Sequence, residues 1–116
     1  MPIPLQVTSR GIPRSDAVHA QVQKLAERLE RFHGQVTRCH VTVELPHARH
    51  QHGNRFAVHV DLHVPGGDIA VTRDPSVDRS HEDLSVTIRD AFSAATRRLE
   101  DQARRARGDV KHHSEP

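Results

Sequence analysis

The sequence predicts an α+β fold of element order β-α-β-β-β-α, a four-stranded sheet with two helices packed on one face. Three observations carry the prediction. Short segments near residues 3–7, 38–45 and 55–64 alternate apolar and polar residues, the period of a half-buried strand. Two longer segments, from Ser15 to Gly34 and from His81 to Gly108, repeat apolar residues at helical spacing, each along one stripe. Both stripes must be buried, and a sheet with one apolar face can cover the two together.

Each element follows from its residues. Ile3, Leu5 and Val7 alternate with Pro4, Gln6 and Thr8, giving a short first strand that Arg10-Gly-Ile-Pro13 breaks. Ser15 is the expected N-cap of the first helix, with Asp16 in its positive first turn. Val18, Val22, Leu25, Ala26, Leu29 and Phe32 form its apolar stripe, and Gly34 is the expected C-cap. Cys39, Val41, Val43 and Leu45 then alternate with Arg38, His40, Thr42 and Glu44. Phe56, Val58, Val60, Leu62 and Val64 alternate with Arg55, Ala57, His59, Asp61 and His63. These two strands have the pattern of an antiparallel sheet covered on one side. Pro46–Arg55 is the hairpin connection between them.

Pro65-Gly-Gly-Asp68 makes the next turn, and Ile69 and Val71 open a fourth strand. Residues 73–80 are polar, include Pro75, and read as a loop. Ser80 can cap the second helix, with Glu82 and Asp83 in its first turn. Leu84, Ile88, Ala91, Phe92, Ala95 and Leu99 form its stripe. Past Leu99 only alanines hold the apolar positions, so the last turns are expected to project beyond the sheet. Gly108 is the expected stop. Residues 1–108 are therefore one domain, and 109–116 are expected to be a disordered tail.

Composition narrows the function. The chain of 116 residues has 17 Lys+Arg against 15 Asp+Glu, so a basic surface must come from the arrangement of charges. Nearly all of the basic residues are Arg, whose planar fork suits phosphate. The single cysteine, Cys39, excludes an intramolecular disulfide and fits a reducing compartment. No segment approaches the ~20 apolar residues of a membrane span, and the first residues lack the pattern of a signal peptide. The expected location is cytoplasmic, with no membrane partner.

Catalytic motifs are missing. No Gly-rich phosphate loop, HExxH pair or Cys-pair metal motif occurs. Cys39 falls on the apolar side of its strand, where it reads as a small buried hydrophobe. The reading is not an enzyme, with no cofactor and no small-molecule substrate. A metal site is the alternative: His47, His50 and His52 cluster in the hairpin, with His40, His59 and His63 on the neighbouring strands. A structural zinc site wants four fixed ligands, which a hairpin without cysteines supplies poorly. A small His-rich metal-binding protein stays open on these residues, as does an adaptor that uses the uncovered sheet face.

The arginines point elsewhere. Lys24, Arg28 and Arg31 fall on one flank of the first helix, and Arg89, Arg97, Arg104 and Arg107 on the outer side of the second. One reading is a solvated surface, with Glu27, Glu30, Asp90, Glu100 and Asp101 as i,i+4 partners. The other is a patch that tracks phosphates, completed by Arg104-Arg-Ala-Arg107. With three Phe, no Tyr and no Trp, no platform for stacking bases is expected. RNA would then be read by backbone and shape.

Two segments carry a resemblance. Leu25-Ala-Glu-Arg-Leu-Glu-Arg-Phe32, and Arg79-Ser-His-Glu-Asp-Leu84 leading into Ile88-Arg-Asp-Ala-Phe92 and Arg97-Arg-Leu99, resemble the two helices of the ribosome hibernation-promoting factor and ribosome-associated inhibitor family, also called sigma-54 modulation proteins. The chain looks like a short form of that family. The resemblance implies a bacterial protein of translation regulation and stress response. Such a protein binds the small ribosomal subunit through 16S rRNA in the channel used by mRNA and tRNA. Residue by residue it implies RNA contacts at Arg28, Arg31, Arg79 and Arg97. Lys24, Arg89, Arg98, Arg104, Arg105 and Arg107 join these by helix face and position. Two departures stand out: Ser85 replaces a common Tyr, and Ala94, Glu100 and Asp101 dilute a helix that is lysine-rich in the family.

Overall fold

The structure, a computed structural model, describes residues 4–45, 56–73 and 84–113, with side chains described as far as Arg105. The element order is β1 (Leu5–Arg10), α1 (Asp16–Phe32), β2 (Arg38–Glu44), β3 (Ala57–His63), β4 (Ile69–Arg73) and α2 (Leu84–His113). This is the β-α-β-β-β-α order that the sequence predicts. The sheet order is β1-β2-β3-β4. β1 pairs parallel with β2, whereas β2–β3 and β3–β4 are antiparallel. Parallel neighbours need a crossover, and α1 supplies it, its 17 residues carrying the chain ~25 Å back along the sheet at ~1.5 Å per residue.

One face of the sheet is the core. Cys39, Val41 and Val43 of β2, Val58, Val60 and Leu62 of β3, and Ile69 and Val71 of β4 are all buried. Against them pack Val22 and Leu29 of α1 and Ile88, Ala91, Phe92, Ala95 and Leu99 of α2. The core is aliphatic because the chain has few aromatics. Thr87, fully buried, is its polar exception on α2.

Local chemistry sets the boundaries. Ser15 caps α1 as expected, its hydroxyl oxygen accepting from the Val18 amide at 3.2 Å. Gly11, before it, holds φ at +75°, and a Cβ there would meet the Leu45 carbonyl oxygen at 3.0 Å. The turn between β3 and β4 uses Gly66 and Gly67 at φ 96° and 138°, with the Gly67 amide donating to the Val64 carbonyl at 3.1 Å.

Four expectations are corrected. Gly34 is not the C-cap of α1; His33 is, its amide donating to the Leu29 carbonyl. Phe32 is not in the buried stripe but 69% exposed. At ~100° per residue it is rotated by about 60° from Leu29, 80° from Val22 and 120° from Ala26, the buried residues of α1. Nor does α2 stop at Gly108, since it continues to His113; a helix absorbs a glycine at a cost of only about 1 kcal/mol relative to Ala. Past Leu99 α2 still meets the rest of the fold, at the turn between β3 and β4, where the Gln102 side-chain amide donates to the Gly67 carbonyl at 3.1 Å. The expected hairpin at 46–55, Ile3, and the capping residues Ser80, Glu82 and Asp83 lie outside the described residues.

Candidate nucleic-acid interface

α1 and α2 lie side by side and run in the same direction. Gln21 Nε2 donates to the Ser85 carbonyl at 2.9 Å near one end. At the other, His33 Nε2 lies 3.8 Å from Glu100 Oε2. Between these ties the helices leave an open groove of about 350 Å³, floored by Leu25, Leu29 and Phe92. Arg28 enters it from α1, and Arg89 and Arg97 from α2, with His33 near one end. All three arginines are exposed. An apolar floor with guanidinium groups on both walls suits a polyanion that lies along it, because each fork can grip two phosphate oxygens.

The basic residues expected from the sequence divide into groups. Lys24 and Arg31 share the exposed flank of α1 with Arg28, so α1 offers a line of three cations whose inner member lines the groove. Arg104 is on the same side of α2 as Arg97 by helical rotation, and it pairs with Asp101 one turn back. Arg98 and Arg105 sit about 100° further round α2 than Arg97 and Arg104 by the same rotation. Arg98 Nη1 donates to the Ala70 carbonyl at 2.6 Å, covering a polar group on the sheet's edge strand, a structural task. Arg107 belongs to α2, but its side chain is outside the described residues, and so is all of Arg79.

Sequence patterning alone missed the groove as a unit. Arg28, Arg89 and Arg97 are each visible on a helical wheel, yet their convergence needs the parallel packing of two helices far apart in the chain. It also missed His33, whose side chain is only 15% exposed where it meets Glu100. Its position after the last helical residue was the available signal, since cations are favoured at a helix C-terminus.

The opposite face of the sheet is polar, and its histidines are taken up by neighbours. His40 Nε2 is 3.0 Å from Thr8 Oγ1. His59 spans Thr72 Oγ1 at 3.0 Å and Glu44 Oε2 at 3.2 Å. His63 Nδ1 is 3.2 Å from Asp68 Oδ2. Among the described residues no group of three or more His, Cys, Asp or Glu could hold a metal ion; His47, His50 and His52 lie outside them. Cys39 is buried on the core side, and its thiol is pushed up to about 12, first by burial and then by the nearby Asp61 carboxylate. A thiol so held is a poor nucleophile near neutral pH. No described helix is long and apolar enough to cross a membrane.

Known proteins share this architecture. A ribosomal subunit interface protein from Coxiella burnetii superposes with a TM-score of 0.69 at 15% identity, over 85% of this chain and 96% of that one. The N-terminal domain of Protein Y from Thermus thermophilus does so with a TM-score of 0.65 at 20% identity, over 87% and 98%. At these identities the likeness is one of fold. No curated protein matches the chain in sequence. The family described as sigma 54 modulation protein / S30EA ribosomal protein matches residues 5–107. With nearly the whole chain matched, this protein belongs to the sigma 54 modulation protein / S30EA ribosomal protein family.

Proposed function

We propose that this protein is a ribosome-associated inhibitor of translation of the hibernation type. It binds the small ribosomal subunit through 16S rRNA, in the channel that mRNA and tRNA use, and acts by occupancy without catalysing a reaction. The observation that carries this reading is the groove in which Arg28, Arg89 and Arg97 converge from two helices, in a chain whose family includes S30EA ribosomal proteins. Lys24 and Arg31 extend the contact along α1, and Arg104 along α2. Arg79 and Arg107 join the surface by their places in the sequence, and Arg98 and Arg105 extend it on the adjoining flank of α2, Arg98 while also holding the Ala70 carbonyl. The working location is the cytoplasm, where the partner is.

The test is co-sedimentation with isolated small subunits. The chain pellets with them at low salt and is released as salt rises, because phosphate contacts release counterions. Programmed mRNA and tRNA displace it. No co-sedimentation at low salt contradicts the proposal, and binding indifferent to mRNA and tRNA contradicts the channel.

A further inference from the structure

We infer that Phe32 is a base-stacking residue, which takes an unpaired nucleobase while the groove arginines hold the phosphates beside it. The inference rests on the RNA-binding reading above and adds to it a contact with a base. Its first support is exposure: at 69%, Phe32 is the large hydrophobic side chain that the described residues leave in solvent. Its second is placement. By helical rotation Phe32 falls between Arg28 and Leu29 and close to Leu25, all three of which line the groove. It therefore continues the groove wall by one turn, beside the point where His33 meets Glu100.

The combination fits one occupant best. A single-stranded nucleotide presents a flat apolar ring joined to an anionic backbone, and here a flat apolar ring stands next to a run of guanidinium groups. Aromatic side chains beside basic grooves hold unpaired bases in this way, and every base has a face to offer. A partner protein with an apolar patch would also cover Phe32. To match the cations of Lys24, Arg28 and Arg31 on the adjoining flank it would need carboxylates placed beside that patch, whereas a nucleotide carries ring and anion together. Recognition by backbone and shape alone, expected from the scarcity of aromatics, thus gains a base contact at one position.

The chain has no Trp and no Tyr, so Phe32→Trp installs a single fluorophore at the proposed contact. Stacked bases quench tryptophan. Emission of the variant is measured with short oligoadenylate and with an abasic ribose-phosphate oligomer of equal length and charge. Oligoadenylate is expected to quench it and the abasic oligomer is not; equal responses overturn the inference. In parallel, small-subunit affinity is measured for the wild type, Phe32→Trp and Phe32→Leu. Leucine keeps the apolar bulk without the ring face. It is expected to weaken binding roughly five- to hundredfold, the range of one lost base stack, with Trp retaining affinity. Leucine at wild-type affinity overturns the inference, and points to an apolar protein contact if the quenching is also absent. Base-specific quenching in a chain that fails to bind small subunits upholds the stacking residue and refutes only the ribosomal reading.

Discussion

Cys39 shows how one residue ties the core to solution conditions. Folding holds its thiol at about 12, up from 9.0, so the buried form is the neutral one. The unfolded chain ionises this thiol at lower pH than the folded chain does. The associated stability is therefore fully present below pH ~9 and is lost as pH rises toward ~12, by at most about 1.4 kcal/mol per pH unit. The chain has no Tyr, which removes the usual competing titration in that range. Urea unfolding across pH 8.5 to 10.5 should show this decline in the wild type and its loss in Cys39→Ala, whatever the variant's absolute stability. A slope shared by both would refute the assignment. The burial of Cys39 is legible in the sequence, because its strand alternates cleanly. The exposure of Phe32 is not: it lies at the edge of an apolar stripe, and only the angle at which α1 meets the sheet decides which edge is covered. Arg98 is similar, since nothing local shows that it reaches back to the Ala70 carbonyl while Arg97, its neighbour, faces the groove.

At the scale of elements, two glycines give opposite expectations. Gly11→Ala should destabilise by about 1–2 kcal/mol, because an L-residue at φ +75° is strained and its Cβ meets the Leu45 carbonyl at 3.0 Å. Gly34→Ala should be neutral or stabilise by up to about 1 kcal/mol, since nothing lies within 4 Å of its Cβ position and its φ is not positive. Urea midpoints of the two variants check both signs, and a Gly34→Ala loss larger than that of Gly11→Ala contradicts the turn geometry. Leu99→Ala should cost about 2–5 kcal/mol, because Leu99 is fully buried in the core between α2 and the sheet. The elements themselves were legible from periodicity, and so was the single covered face. The parallel pairing of β1 with β2 was not, because it depends on where α1 returns the chain. The course of α2 past Gly108 was missed because a glycine that fits a C-cap also fits a helix interior at modest cost.

At the scale of the whole molecule, the two sheet faces divide the work. One is closed by the helices, whose outer surfaces form the arginine groove. The other is a polar surface on which the strand histidines bond to their neighbours. In the function proposed above, the small subunit is gripped at the groove and not by the positive charge of the chain as a whole. This grip is tested by comparing two triple variants of equal charge change. Arg28, Arg89 and Arg97 are reversed to Glu in one; Arg10, Arg14 and Arg38, exposed residues away from the groove, are reversed in the other. The measurement is small-subunit affinity as a function of salt. The groove variant is expected to lose roughly a hundredfold at ~0.1 M salt, with the slope of log K against log salt smaller by about 2–3, as three lost phosphate contacts require. The control should keep its slope and stay within several-fold of the wild type. Equal losses in the two variants would contradict a grip at the groove, since binding would then follow net charge.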